Sequence, residues 1–210
     1  MSKIVNVDYQ LYLVTPSNLE IDELCKKVEQ AVLGGVTVVQ LREKDAAGLE
    51  FYEKASKLKK MLAHYHVPLI INDRVDVALA VNADGVHIGQ KDLPLSKVKA
   101  LLPSHMLVGV SAKTIEEAKK AELEGADYLG IGAVFPTKTK QDANIISVEG
   151  LKQISAAVQL PKVAIGGITL ENISLLQNTN INGVAVVSAI FQTESPKESA
   201  KQFKNLLSLN

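Results

Sequence analysis

From Leu11 onward the chain repeats one unit eight times: a short β-branched and aliphatic run, then a longer stretch with apolar residues at helical spacing. The strand candidates are Leu11–Val14, Thr37–Leu41, Leu69–Ile71, Gly85–Ile88, Leu107–Val110, Tyr128–Gly132, Val163–Ile165 and Gly183–Val187. Between them, sets such as Ile115, Ala118, Leu123 and Leu151, Ile154, Val158 mark amphipathic helices. Several strand runs are apolar throughout, as parallel strands covered on both faces must be. With 210 residues the unit averages about 26, enough for a strand, a helix and two short loops. Eight such units close a barrel, so the expected fold is α/β, a single (β/α)8 TIM barrel with 1–210 as one domain. An open doubly wound sheet is the competing arrangement. It would put a glycine-rich phosphate loop after the first strand, where this chain has Val14-Thr15-Pro16-Ser17.

Composition narrows the partners. Hydrophobic residues make up 47% of the chain, enough for a large core. Lys+Arg and Asp+Glu stand at 23 each, so no net field draws nucleic acid or an anionic membrane. No stretch reads as a secretion signal or a membrane span. Cys25 is the only cysteine, which excludes an internal disulfide and fits a reducing cytoplasm. It shares a helical face with Ile21, Leu24, Val28 and Val32 and reads as a structural thiol rather than a nucleophile. The expectation is a cytoplasmic protein acting on small molecules, compatible with a homodimer.

In a barrel of this kind, chemistry belongs to the loops that follow the strands. Those loops carry Gln40-Leu41-Arg42-Glu43-Lys44, Asn72-Asp73-Arg74, Gly89-Gln90-Lys91-Asp92, Ser111-Ala112-Lys113-Thr114, Phe135 to Lys140, Gly166-Gly167-Ile168 and Val187-Ser188. Gly166-Gly167 after strand 7 lets backbone N–H groups approach an anion, and Val187-Ser188 leads into a helical turn whose first amides add donors. Together these read as the phosphate site of such barrels, against the plainer reading of a tight turn. Arg42, Lys44 and Lys140 form a cationic set and Asp73 and Asp92 an anionic one. They are either mutual surface ion pairs or a site for a diphosphate with Mg2+, cations on the phosphate oxygens and carboxylates on the metal. His87 lies inside the strand 4 run, as either a barrel-interior histidine or a ligand contact. Nothing in the sequence has zinc-ligand spacing or a serine-nucleophile elbow.

These blocks, with His87-Ile88-Gly89-Gln90-Lys91-Asp92-Leu93-Pro94, Gly109-Val110-Ser111, Pro136-Thr137-Lys138-Thr139-Lys140, Ala164-Ile165-Gly166-Gly167-Ile168 and Val187-Ser188-Ala189-Ile190, resemble the thiamine phosphate synthase family from about Leu11 to Ile190. Each block is weak alone; in register they are specific. The resemblance implies Mg2+-dependent joining of hydroxymethylpyrimidine diphosphate to a thiazole phosphate, with release of pyrophosphate. It implies that Gln40, Leu41, Arg42, Glu43, Lys44, Asn72, Ser111 and Lys140 bind the pyrimidine diphosphate. Asp73 and Asp92 would ligate Mg2+, and Thr137, Lys138, Thr139, Gly167, Val187 and Ser188 would meet the thiazole phosphate. Arg42, Lys140 and Ser111 would carry the catalysis.

One position departs from the family pattern: Lys113 stands where a histidine is common. In the related thiazole tautomerases that histidine is thought to transfer protons, so its absence weighs against the tautomerase. A non-catalytic phosphate-binding barrel is a further alternative, but it would not need the Asp73 and Asp92 pair. Other phosphosugar barrels place an acid–base residue at the strand ends.

Overall fold

The computed structural model describes residues 7–137 and 145–208. Eight parallel strands form a closed barrel in sequence order, with β1 (Leu11–Val14) pairing both β2 (Val38–Leu41) and β8 (Gly183–Val186). The others are β3 (Leu69–Asn72), β4 (Gly85–Ile88), β5 (Leu107–Ala112), β6 (Tyr128–Gly132) and β7 (Lys162–Ile165). Each predicted strand is present, with ends differing by at most two residues. β5 is the longest because Ser111 and Ala112 continue to pair with Gly130 and Ile131.

Helices α1 (Ile21–Leu33), α2 (Gly48–Ala63), α3 (Val75–Ala80), α4 (Leu95–Leu101), α5 (Ile115–Leu123) and α6 (Val148–Ala156) cover the strands, followed by α7 (Ser188–Phe191) and α8 (Pro196–Ser208). The α5 entry is fixed by Thr114, whose side chain accepts the Glu117 N–H at 3.2 Å while the Glu117 carboxylate accepts the Lys113 N–H at 2.6 Å. The expectation of a helix after every strand fails once: β7 is followed by a single 3-10 turn, Ile173–Leu176. Asn172 spends its amide on the preceding loop, donating to the Gly167 carbonyl and accepting the Thr169 N–H, both at 2.9 Å. Asn178 and Asn180, at φ 60° and 56°, then break the helical path.

Strand alternation creates two apolar regions. Residues such as Leu11, Leu13, Val39, Leu41, Leu129 and Ile131 face outward and pack under the helices. Tyr9, Tyr12, Val14, Val38, Ile70, Leu107, Tyr128, Val163 and Ala185 fill the barrel itself. Cys25 is half-buried against the outer core, and burial raises its thiol pKa, as expected of a structural thiol.

Candidate active site at the C-terminal rim

The strand ends deliver the polar residues to one rim. β2 sends Gln40 inward and then Arg42 into the loop. The Arg42 N–H donates to the buried Thr15 hydroxyl at 3.0 Å and its carbonyl accepts the Ser17 hydroxyl at 3.3 Å, which pins this turn to the loop after β1. The guanidinium is half-buried. Desolvation lowers its pKa, opposed by the charges of Asp73, Asp45 and Glu43, so an anion would find a poorly solvated cation there.

Two residues of the same block do not present side chains to the rim. Leu41 lies in the outer core with no exposed surface, because the next residue along a strand faces the opposite side. Glu43 is turned into the wall, where its carboxylate takes the Lys54 ammonium at 3.2 Å and the Asn18 N–H at 3.1 Å. Neither side chain reaches the rim: the first packs and the second anchors α2. Burial alone would lower the Lys54 pKa, but its hydrogen bonds to Glu50 and Glu43 and their charges raise it. Lys44 is exposed.

Asp73 follows β3 in the left-handed region, φ 61°. Its N–H donates to the His87 carbonyl at 2.9 Å, extending the β3–β4 ladder by one rung, while its own carbonyl accepts the Val75 N–H at 3.1 Å. Asp92 folds back so that its carboxylate accepts the Gly89 N–H at 2.6 Å. The two carboxyl groups meet. Partial burial of the Asp73 carboxyl, then the charge and hydrogen bond of Asp92, raise its pKa to about 6, against the pull of Asn72 and Arg42. Two carboxyl groups brought together in this way are a ready site for a hard divalent cation. Among the described residues no group of three or more His, Cys, Asp or Glu could hold a metal.

Inside the mouth, five side chains form one hydrogen-bonded chain. The Gln40 amide nitrogen donates to Tyr12 Oη at 2.8 Å, Tyr12 and Tyr128 share a bond at 2.7 Å, Tyr128 meets His87 Nδ1 at 3.1 Å, and His87 Nε2 meets Ser111 Oγ at 2.9 Å. The loop motifs point to the two ends, and the strand 4 run admits either role for His87; neither tyrosine stands in a motif. The signal was available in part, since each is a polar-tipped aromatic at an inward strand position. His87 is a barrel-interior histidine joined to Ser111. The Gln90 side chain also donates to the Ser111 carbonyl at 2.7 Å.

Across the mouth, Gly166 and Gly167 have φ 103° and 61°. A Cβ on Gly167 would lie 2.3 Å from the Pro136 carbonyl oxygen, so this glycine also lets the loop after β6 pass close by. Thr137, half-buried, ends the described part of that loop; Lys138, Thr139 and Lys140 lie outside the described residues. At the end of β8 the Val187 carbonyl accepts the N–H groups of Ile190 and Phe191 at 3.2 and 3.0 Å. The amides of Ser188 and Ala189 thus open the turn of α7, where a helix has no internal acceptors for them. The rim combines a carboxylate pair, a half-buried guanidinium and a hydrogen-bonding interior with an amide-rich pair of loops opposite. It can hold two anionic groups around a polar ring.

Comparison with known proteins follows the same outline. A family model described as thiamine monophosphate synthase matches residues 11–190. The chain is 50% identical over 206 residues to a thiamine-phosphate synthase of Clostridium acetobutylicum, covering 98% of each. It is 52% identical over 198 residues to that of Clostridium tetani, covering 94% of this chain and 95% of the relative. Among solved structures, a thiamine phosphate pyrophosphorylase from Pyrococcus furiosus superposes with a TM-score of 0.89 at 38% identity, covering 97% of both chains. A 3-hexulose-6-phosphate synthase, at 16% identity and a TM-score of 0.74, shares the fold.

Proposed function

Because the chain belongs to the thiamine monophosphate synthase family, we propose that its rim binds hydroxymethylpyrimidine diphosphate and thiazole phosphate side by side and joins them. The protein is a transferase that forms thiamine phosphate. The observation that carries the residue assignment is the placement of Asp73, turned at the end of β3, beside Asp92, folded back on Gly89, with the half-buried Arg42 guanidinium close enough to act on them.

Gln40, Asn72 and Ser111 orient the pyrimidine, while Arg42, Lys44 and Lys140 hold its diphosphate oxygens. Asp73 and Asp92 would hold Mg2+. Bound there, the ion would supply positive charge to the departing pyrophosphate. The C–O bond to pyrophosphate breaks first, leaving a pyrimidine methyl cation, and the thiazole nitrogen then forms the new C–N bond. That nitrogen carries no proton, so the rim needs no strong base. Arg42 and Lys140 stabilise the leaving charge, and the pocket aligns the two rings and excludes water. Thr137, Lys138 and Thr139 meet the thiazole phosphate together with Gly167 and the Val187-Ser188 backbone, where helix-start amides favour an anion. A reducing cytoplasm suits the single free thiol of Cys25. Among the described residues no helix is long and apolar enough to cross a membrane.

The test mixes purified protein, Mg2+ and both substrates and follows thiamine phosphate and pyrophosphate together. Equal, Mg2+-dependent formation of the two is expected, with Asp92→Ala lowering turnover strongly and excess Mg2+ restoring only part of it. Near-normal activity of Asp92→Ala would refute the metal assignment. Absence of product from folded protein that still binds the thiazole phosphate would move the reading to a tautomerase-like or non-catalytic barrel.

A further inference from the structure

The interior chain from Gln40 to Ser111 is built into the barrel rather than draped over it. Tyr12 is 2% exposed, Tyr128 0%, Gln40 5% and His87 8%. Tyr128 occupies space that β5 vacates: a Cβ on Gly109 would lie 2.1 Å from Tyr128 Cζ and 2.5 Å from its hydroxyl. Tyr9 packs against the same ring at a centroid distance of 4.8 Å, tilted by 33°. The ring therefore has one place to go, and its hydroxyl one set of neighbours.

Such a chain has a direction. The Gln40 amide nitrogen donates to Tyr12 Oη; with every buried proton of the chain partnered, the Tyr12 proton goes on to Tyr128 Oη. On the same condition the Tyr128 proton goes to Nδ1 of a neutral His87, and the imidazole proton then sits on Nε2 and donates to Ser111 Oγ. A Ser111 hydroxyl that accepts this bond keeps its own proton to donate toward the mouth. At the other end, the inward amide nitrogen leaves the Gln40 carbonyl oxygen for the ligand. Reversing any one link means reversing all of them, so five separate rotamers and tautomers reduce to a single choice. Burial raises the pKa of both phenols, first among the causes for each, so both remain O–H donors at working pH.

We propose that Tyr12, Tyr128 and His87 are positioning residues that fix Gln40 as an acceptor and Ser111 as a donor towards the aminopyrimidine ring. An amino group beside a ring nitrogen offers the complementary pair, one donor and one acceptor, and the preset polarity selects that edge over a deaminated one. The inference rests on the reading that Gln40 and Ser111 line the pyrimidine subsite.

The test uses Tyr128→Phe and Tyr12→Phe, which keep the rings and cut the chain, and measures steady-state kinetics with the native pyrimidine diphosphate, its deaminated analogue and thiazole phosphate. Each variant is expected to raise KM for the pyrimidine diphosphate about tenfold, the scale of one neutral hydrogen bond, and to leave KM for thiazole phosphate unchanged. The preference for the native over the deaminated substrate should shrink by a similar factor. The double variant should be no worse than either single one, since a chain is cut only once. Unchanged preference and KM with only a lower Tm, or additive losses in the double variant, would overturn the positioning role. Gln40→Ala and Ser111→Ala separate the two readings. If they raise KM for the pyrimidine diphosphate while the tyrosine variants do not, only the chain is overturned. If they too leave it unchanged, the subsite reading falls and the proposal falls with it.

Discussion

At the scale of single residues, charge in the sequence did not reveal which side chains face a ligand. Arg42 and Glu43 are adjacent, both charged and both in a block that reads as functional, yet one opens to the rim and the other is sealed against Lys54. β2 stops at Leu41, so strand alternation no longer dictates direction at Glu43; only the approach of α2 does. Lys162 illustrates the same limit. The sequence reading starts the seventh strand after it, but the structure makes Lys162 the first residue of β7 and buries it to 5% exposure, its ammonium reaching the Ser155 and Val158 carbonyls at 3.4 Å. Burial lowers its pKa, opposed by the charge of Glu122. A lysine whose folded-state value is depressed binds its proton less readily in the native than in the unfolded chain. Its penalty is full below that lowered value and fades as pH rises toward the unfolded value of about 10.4. Urea midpoints measured from neutral to alkaline pH should therefore climb more steeply, or fall less steeply, for the wild type than for Lys162→Met. Parallel pH profiles would show that the ammonium is adequately solvated by its two carbonyls.

At the scale of elements, the short apolar runs and the helical patterns between them marked all eight strands in order, because parallel strands buried on both faces need apolar runs that few other contexts tolerate. The patterns gave neither the 3-10 turn after β7, which depends on Asn172 bonding to its own loop, nor the pairing of a glycine in β5 with a tyrosine in β6. That pairing needs the barrel's register: Gly109 sits opposite Tyr128 only once the two strands are laid side by side. Gly109→Ala should push a methyl group into the Tyr128 ring, an overpacking that costs about 1–3 kcal/mol. For a chain of this size the Tm should drop by roughly 3–10 °C. Substituting Leu for Tyr128 in the same protein should recover part of the loss by relieving the clash. A Tm within a degree of wild type for Gly109→Ala alone would mean that the ring can move aside, and the fixed geometry of the interior chain would go with it.

At the scale of the whole molecule, the rim is precise only if the barrel is closed, and closure depends on the first and last strands meeting. β1 pairs with β8 from Leu11↔Val184 to Leu13↔Val186, and α8 packs close to the end of α1: a Cβ on Gly34 would lie 2.3 Å from the Lys197 carbonyl oxygen. Gathering polar loops on one side was legible in the sequence because every loop after a strand falls at the same end of such a barrel; closure itself was an inference from the count of units. If closure makes the chain one cooperative unit, the barrel interior cannot loosen while the helical layer stays formed. The tyrosines give an internal probe, since the chain has no Trp and five Tyr, of which Tyr9, Tyr12 and Tyr128 are buried in the barrel interior. Replacing Tyr52 and Tyr65 on and beside α2 with Phe would leave fluorescence from the interior alone, while far-UV circular dichroism follows the helices. In urea the two signals should give the same midpoint and slope. A tyrosine transition that precedes the helical one would mean that the β1–β8 seam opens first. The rim would then lose its two halves, Gln40 with Arg42 and Gly167 with Ser188, before the fold is lost, and activity should disappear with the tyrosine signal rather than with the helical one.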